Sequence, residues 1–273
     1  MTFLRSITPD GGSRKKHNRV LMKLFFLGTA GGRTVTFKRI RNSGGILLRE
    51  GRTLLHIDPG PGAFVNFFST PYEPWRDLNG IVLSHLHLDH SADVNTLIES
   101  ATESGKRKGV KLLAPRDALE GETRVVLPYS QRLVDVGILS EGSGYQIGDL
   151  RVEVLHRHNH HGVEVYSLLF RGGDKEVVYI PCGRFEDFWL EHLPEGVDLM
   201  IFNSTFYGRR PNIDHLSVPD VVEILTAKRP KRALITHFSL EMLRKNPLKV
   251  AKEITEKTGV ETTAAHDGMV LEV

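Results

Sequence analysis

The chain has 273 residues, 40% of them hydrophobic and 25% charged, with a formal net charge of +3. This is enough for one large core, and the balance excludes a disordered or low-complexity chain. No apolar run approaches the ~20 residues of a membrane span. The single cysteine, Cys182, excludes an intrachain disulfide and fits a reducing, cytoplasmic setting.

Residues 1–22 carry Arg5, Arg14, Lys15, Lys16 and Arg19 but no apolar centre of a secretory signal. They read as a basic N-terminal extension, or as sequence upstream of a natural start at Met22, ahead of one domain over 23–273. Short apolar runs bounded by Gly, Pro and Asp then predict strands at Lys23–Leu27, Gly45–Arg49, Thr53–Ile57, Gly80–Leu83 and Val110–Leu113. A second series is expected at Leu150–Leu155, Tyr166–Phe170, Glu176–Ile180, Leu199–Phe202, Arg232–Thr236 and Met269–Val273. Helices are expected at Pro61–Phe68, His90–Ser104, Pro115–Leu119, Val218–Thr226, Ser239–Asn246 and Leu248–Thr258. In the last, Val250, Ala251 and Ile254 share a face opposite Lys249, Lys252 and Glu256, and Gly259 can end the helix.

The most informative segment is Ser84-His85-Leu86-His87-Leu88-Asp89-His90, directly after the buried-strand pattern Ile81-Val82-Leu83. Imidazole and carboxylate are ordinary ligands of zinc and similar divalent ions. An extended His-x-His puts His85 and His87 on one side of a strand end. The turn that follows lets Asp89 and His90 face a second ion. A solvated polar loop is the plain alternative, and four ligand-type residues behind a buried strand argue against it.

This motif and its surroundings resemble the metallo-β-lactamase superfamily, with the closest likeness to its ribonuclease Z-like and phosphodiesterase-like branches. The likeness rests on Phe26-Leu27-Gly28-Thr29, on the strand Ser43 to Leu48, on His56-Ile57-Asp58-Pro59-Gly60 and on Leu234-Ile235-Thr236-His237-Phe238-Ser239. It implies an α/β fold: a four-layer αβ/βα sandwich with two mixed β-sheets and ligands on loops at one edge. It also implies one or two ions, zinc by default with manganese or iron suited to the same ligands. His85 and His87 would hold one ion with a later histidine. Counting back from Ser167 favours His161, with His160 as the fallback and His158 behind it. Asp89, His90 and His237 would surround the other ion, and Asp58 would support the site from behind.

Two departures stand out. The family's bridging aspartate is replaced by Cys182 in Tyr179-Ile180-Pro181-Cys182-Gly183. A thiolate is a good zinc ligand; a buried free cysteine beside a weaker second site is the alternative. The glutamate of the ribonuclease Z string Glu-Ala-Thr-Phe is replaced in Asn203-Ser204-Thr205-Phe206, so the carboxylate that would pair His215 is missing. His215, in Asp214-His215-Leu216-Ser217, matches a family histidine that protonates a leaving group, beside Ser217 as a helix cap.

The resemblance therefore implies a metal-dependent hydrolase with Asp89 and His215 as catalytic groups, acting on a small-molecule or nucleotide phosphodiester. The weak positive charge permits such a substrate without demanding it. RNA is not favoured, because only Arg171-Gly172-Gly173-Asp174 stands where many ribonuclease Z chains carry a tRNA-gripping arm. The alternatives are a tRNA 3′-processing endonuclease, a thioester or lactam hydrolase, and a degenerate metal-binding module. No membrane partner is expected, and a homodimer is compatible with the family.

Overall fold

The computed structural model describes residues 21–43, 45–210 and 212–273. The basic stretch anticipated before Met22 lies almost wholly outside them. Met22 itself is fully buried, and its carbonyl accepts from the Val273 N–H. The first sheet starts as an antiparallel meander of β1 (Lys23–Phe26), β2 (Ile46–Glu50) and β3 (Thr53–Ile57). It continues in parallel through β4 (Leu78–Val82), β5 (Lys111–Ala114) and β6 (Asp135–Ile138). The second sheet opens with antiparallel β7 (Gly144–Ile147), β8 (Leu150–His160), β9 (Val163–Gly172) and β10 (Lys175–Ile180). Parallel pairing then adds β11 (Leu199–Phe206), the two-residue β12 (Leu216–Ser217), β13 (Arg232–Thr236) and β14 (Glu261–Ala264). Last, β15 (Met269–Glu272) returns to pair with β1.

Side-chain alternation gives each sheet two apolar faces, and each face finds a partner. Phe26, Leu48 and Leu55 of the first sheet meet Val152, Phe170 and Tyr179 of the second in the central core. The outer face of the first sheet packs Leu54 and Ile81 against Phe67, Leu97 and Ile98 of helices Ala63–Phe67 and Val94–Ala101. The outer face of the second packs Val178 and Phe202 against Val221, Ile224, Val250 and Ile254 of helices Val218–Lys228 and Pro247–Thr258. The result is the anticipated four-layer αβ/βα sandwich with two mixed sheets. The predicted amphipathic C-terminal helix forms and ends at Gly259, whose φ of 73° is the left-handed cap conformation.

Besides the two-residue β12, three strands escaped the sequence reading: β6, β7 and β14. Each ends a sheet. Such strands are recruited by backbone pairing with a neighbour and carry no continuous apolar signature. The helix anticipated over His90–Ser104 is split into Leu88–Ser91 and Val94–Ala101. The strand expected to stop at Leu155 runs on to His160, and this extension decides part of the site.

Candidate metal centre

The C-terminal ends of β3, β4, β8, β10 and β13 lie at one edge of the sandwich, since β8 and β10 each pair antiparallel with β9. They deliver Asp58, the loop Ser84–His90, His160, Cys182 and His237 to the same place. Asp58 and His237 both turn in the left-handed region, at φ 52° and 63°. Non-glycine residues hold that conformation only where their surroundings enforce it.

Asp58 is the hub beneath the site. Its buried carboxylate accepts from the Ser84 N–H (2.6 Å), Ser84 Oγ (2.6 Å), Tyr179 Oη (2.7 Å) and His90 Nδ1 (3.0 Å). Three of these donors converge on Oδ2, and the Ser84 N–H takes Oδ1, so the carboxyl group acts only as an acceptor here. These bonds set two tautomers. Because Ser84 Oγ spends its only proton on Asp58, His85 Nδ1–H must donate to Ser84 Oγ at 2.9 Å. His85 Nε2 is then a bare lone pair, buried and with no hydrogen-bond partner among the described residues. His90, donating from Nδ1 to Asp58, likewise turns Nε2 inward.

Two donor sets result. His85, His87 and His160 bring one ligand atom each within 4.8 Å of one another, and so do Asp89, His90 and His237. In the second set Nε2 of His90 and His237 are 3.1 Å apart, and Asp89 Oδ2 lies 3.4 Å from His237 and 3.6 Å from His90. Cys182 Sγ is 3.5 Å from His90 Nε2 and 3.6 Å from His237 Nε2. A tetrahedral ion with N and O bonds near 2.0–2.1 Å has donor edges of ~3.3–3.4 Å, and sulfur at ~2.3 Å gives N–S edges of ~3.6 Å. These five separations are close to the edges of a tetrahedral site, with Cys182 beside the two histidines. With the orphaned His85 Nε2, this makes the residues present a fit for divalent ions.

Electrostatics agree. Burial pushes His85 well below its ordinary pKa, lowers His87 and takes His160 to about 3, so this set is neutral imidazole with lone pairs ready. Burial alone would raise Cys182 and Asp89, but the neighbouring His90 and His237 outweigh it and hold both well below their usual ranges. The converse also holds: burial would lower His237, yet Cys182 and Asp89 raise it to about 9. A thiolate and a carboxylate thus hold protons on two histidines, the positive charge that a dication would replace.

His161, expected to complete the first set, does not point there. It sits at the β8–β9 turn with φ 49°, its side chain about half exposed and its ring 3.7 Å from Asp214. The geometry groups His160 with His85 and His87 instead. A bulge between Val154 and His156 shifts the strand's alternation: Val152 and Val154 belong to the inter-sheet core, while His156 and His158 lie against the helix-side Phe188 and Trp189. His160 is buried at the end of that run, with its ring 5.1 Å from His87. The strand ends with His160 buried, and the left-handed turn at His161 carries the next ring outward.

His215 stands over the site, its Nδ1 3.1 Å from Thr205 Oγ1. The same hydroxyl lies 3.0 Å from His237 Nδ1. Thr205 thus occupies the orienting role for which a carboxylate had seemed necessary. Its only sequence signal was its place in Asn203-Ser204-Thr205-Phe206. Asn203 faces away from His215, toward Tyr179 Oη (3.1 Å) and Cys182 Sγ (3.5 Å). Above the donors opens a cavity of about 800 Å³, bordered by Arg33, Phe37, Leu88, Phe206, Ile213 and His161. Among the described residues no helix is long and apolar enough to cross a membrane.

Comparison with known proteins agrees with this architecture. A family model described as a beta-lactamase superfamily domain matches residues 53–238. An uncharacterized protein of Methanocaldococcus jannaschii is 28% identical over 266 residues, spanning 92% of this chain and 95% of that protein. A ribonuclease Z of the same organism is 26% identical over 156 residues, which is 56% of this chain and 48% of the relative. The metallo-β-lactamase fold protein YhfI of Bacillus subtilis superposes with a TM-score of 0.76 at 22% identity, covering 93% of this chain and all of that one. The family match spans more than half the chain, from the start of β3 to the residue after His237, and this protein belongs to the metallo-β-lactamase superfamily and carries its hydrolase fold.

Proposed function

We propose that this protein is a metal-dependent hydrolase of phosphodiester bonds, with His85, His87 and His160 holding one ion and Asp89, His90, His237 and Cys182 the other. The observation that carries the reading is the pair of donor sets at the floor of one cavity, with His215 beside them. The ions, zinc by default or manganese or iron, would supply an activated water and a positive edge for phosphoryl oxygens. Asp89, between the second set and the cavity, orients the attacking water and can accept its proton.

The hydroxyl of Thr205 links the second donor set to His215. With His237 liganding through Nε2, its Nδ1–H donates to Thr205 Oγ1, and the hydroxyl proton then turns to His215 Nδ1. His215 is left with a proton on Nε2 to donate toward the departing oxygen or the charge that builds on it. The partial-length likeness to a ribonuclease Z supports the phosphodiester class. The test is turnover of a chromogenic bis-aryl phosphodiester by metal-loaded protein, beside a thioester and a precursor tRNA. Diester cleavage should vanish with chelator and return with metal. Thioester cleavage without diester cleavage would overturn the reading, and metal-replete protein inert on all three would make it a binding module. Precise cleavage of the tRNA would move the substrate to RNA ends.

A further inference from the structure

On the helix side of β8, away from both donor sets, a third group of ligand atoms meets. Glu141 comes from the turn before β7, His156 from β8, and His192 from the end of helix Phe188–His192. One ligand atom from each lies within 4.8 Å of the other two. The His156 ring is held between Phe188, 4.1 Å away between centroids, and His192, at 4.5 Å.

The atoms are prepared as ligands are. His192 donates Nδ1–H to the Phe188 carbonyl at 3.1 Å, which leaves its Nε2 as a lone pair. A backbone carbonyl behind one ring nitrogen is the usual support for a histidine that ligates through the other. Glu141 Oε2 accepts from the Arg157 N–H at 2.9 Å, which positions the carboxylate. His156 Nδ1 lies 3.2 Å from the same oxygen but is buried and off the line of a hydrogen bond. Such a contact suits two ligands of one ion better than a donor and its acceptor. Burial holds the His156 pKa below its ordinary value, with Glu141 and, to a smaller extent, Glu186 working against it.

We propose that Glu141, His156 and His192 form a peripheral binding site for a divalent transition-metal ion of the zinc class. Two imidazoles and one carboxylate suit zinc, cobalt, nickel or copper better than calcium or magnesium. Closing from 4.8 Å to the ~3.3 Å edges of a tetrahedral site takes only side-chain rotation, because Glu141 and His192 are exposed. The ion clamps helix Phe188–His192 onto β8. The loop that leads from β10 into this helix carries Cys182, whose carbonyl accepts from His158 Nε2 at 2.8 Å, so the clamp steadies the backbone that carries the thiol.

Equilibrium dialysis of the full-length protein against a fixed micromolar free Zn²⁺ concentration, with metal counted per chain, tests this. His192→Ala and Glu141→Gln should each bind one equivalent less than wild type, whereas His85→Ala should keep this equivalent. Amide exchange over residues 183–193 should slow at least ~10-fold on adding Zn²⁺ to wild type and not to His192→Ala. Equal zinc counts in wild type and both variants overturn the site. Unchanged exchange in wild type overturns the clamp.

Discussion

The two halves of the centre are built in opposite ways. The first sheet supplies His85, His87, Asp89 and His90 from one loop behind β4, anchored by a single carboxylate, Asp58. The second sheet supplies His160, Cys182, His215 and His237 from four separate segments, tied by the hydroxyl of Thr205 and the amide of Asn203. A contiguous loop preorganises its donors through local backbone geometry. Dispersed donors depend on the register of a whole sheet and have more freedom to vary, and both positions at which the sequence reading expected a departure, Cys182 and Asn203, lie in this half.

The largest expected effect breaks the contiguous half. His85→Ala should empty the first donor set and bring hydrolysis to background, while metal at the second set persists. Metal analysis with a diester assay reads both, and wild-type metal content in this variant would remove His85 from the centre. His160→Ala should behave the same way if the dispersed half completes that set.

Next is His215→Ala, which should lower kcat by ~10²–10⁴ with metal content intact, the usual contribution of a general acid. The loss should shrink as the leaving group becomes more acidic. An equal loss across leaving groups of different pKa argues instead for binding or for a structural role. Thr205→Val, which removes the hydroxyl but keeps the shape, should reproduce part of this defect.

Cys182 tests whether the dispersed half truly ligates. Cys182→Ala should weaken the second set by at least the ~10–100-fold that loss of a supporting residue costs a metal site. Cys182→Asp should retain two ions. In wild type, the thiol should resist alkylation when metal is bound and react after chelation; reactivity indifferent to chelator makes Cys182 a bystander.

The smallest effect belongs to His161→Ala. Its ring is half exposed, so turnover and metal content should stay within about twofold, the ~0.5 kcal/mol scale of surface substitutions. A His161→Ala protein as impaired as His160→Ala would restore His161 to the donor set.

The sequence alone determined most of the strands and the contiguous loop, and its family resemblance implied the sandwich. Strand-forming runs carry their own periodicity, and Ser84 to His90 are neighbours in the chain before they are neighbours in space. The Cys182 replacement was also legible, because it follows an apolar strand at a position where the family pattern sets an expectation. Only the tertiary structure groups His160, rather than His161, with His85 and His87, since β8 runs on to a buried His160 and a left-handed turn begins at His161. It alone revealed Thr205 between His215 and His237, and the meeting of Glu141, His156 and His192 from three elements. The physical reason is common to all three: the groups that meet come from separate strands, turns and a helix, so their meeting is a property of the assembled sheets rather than of any local stretch of residues.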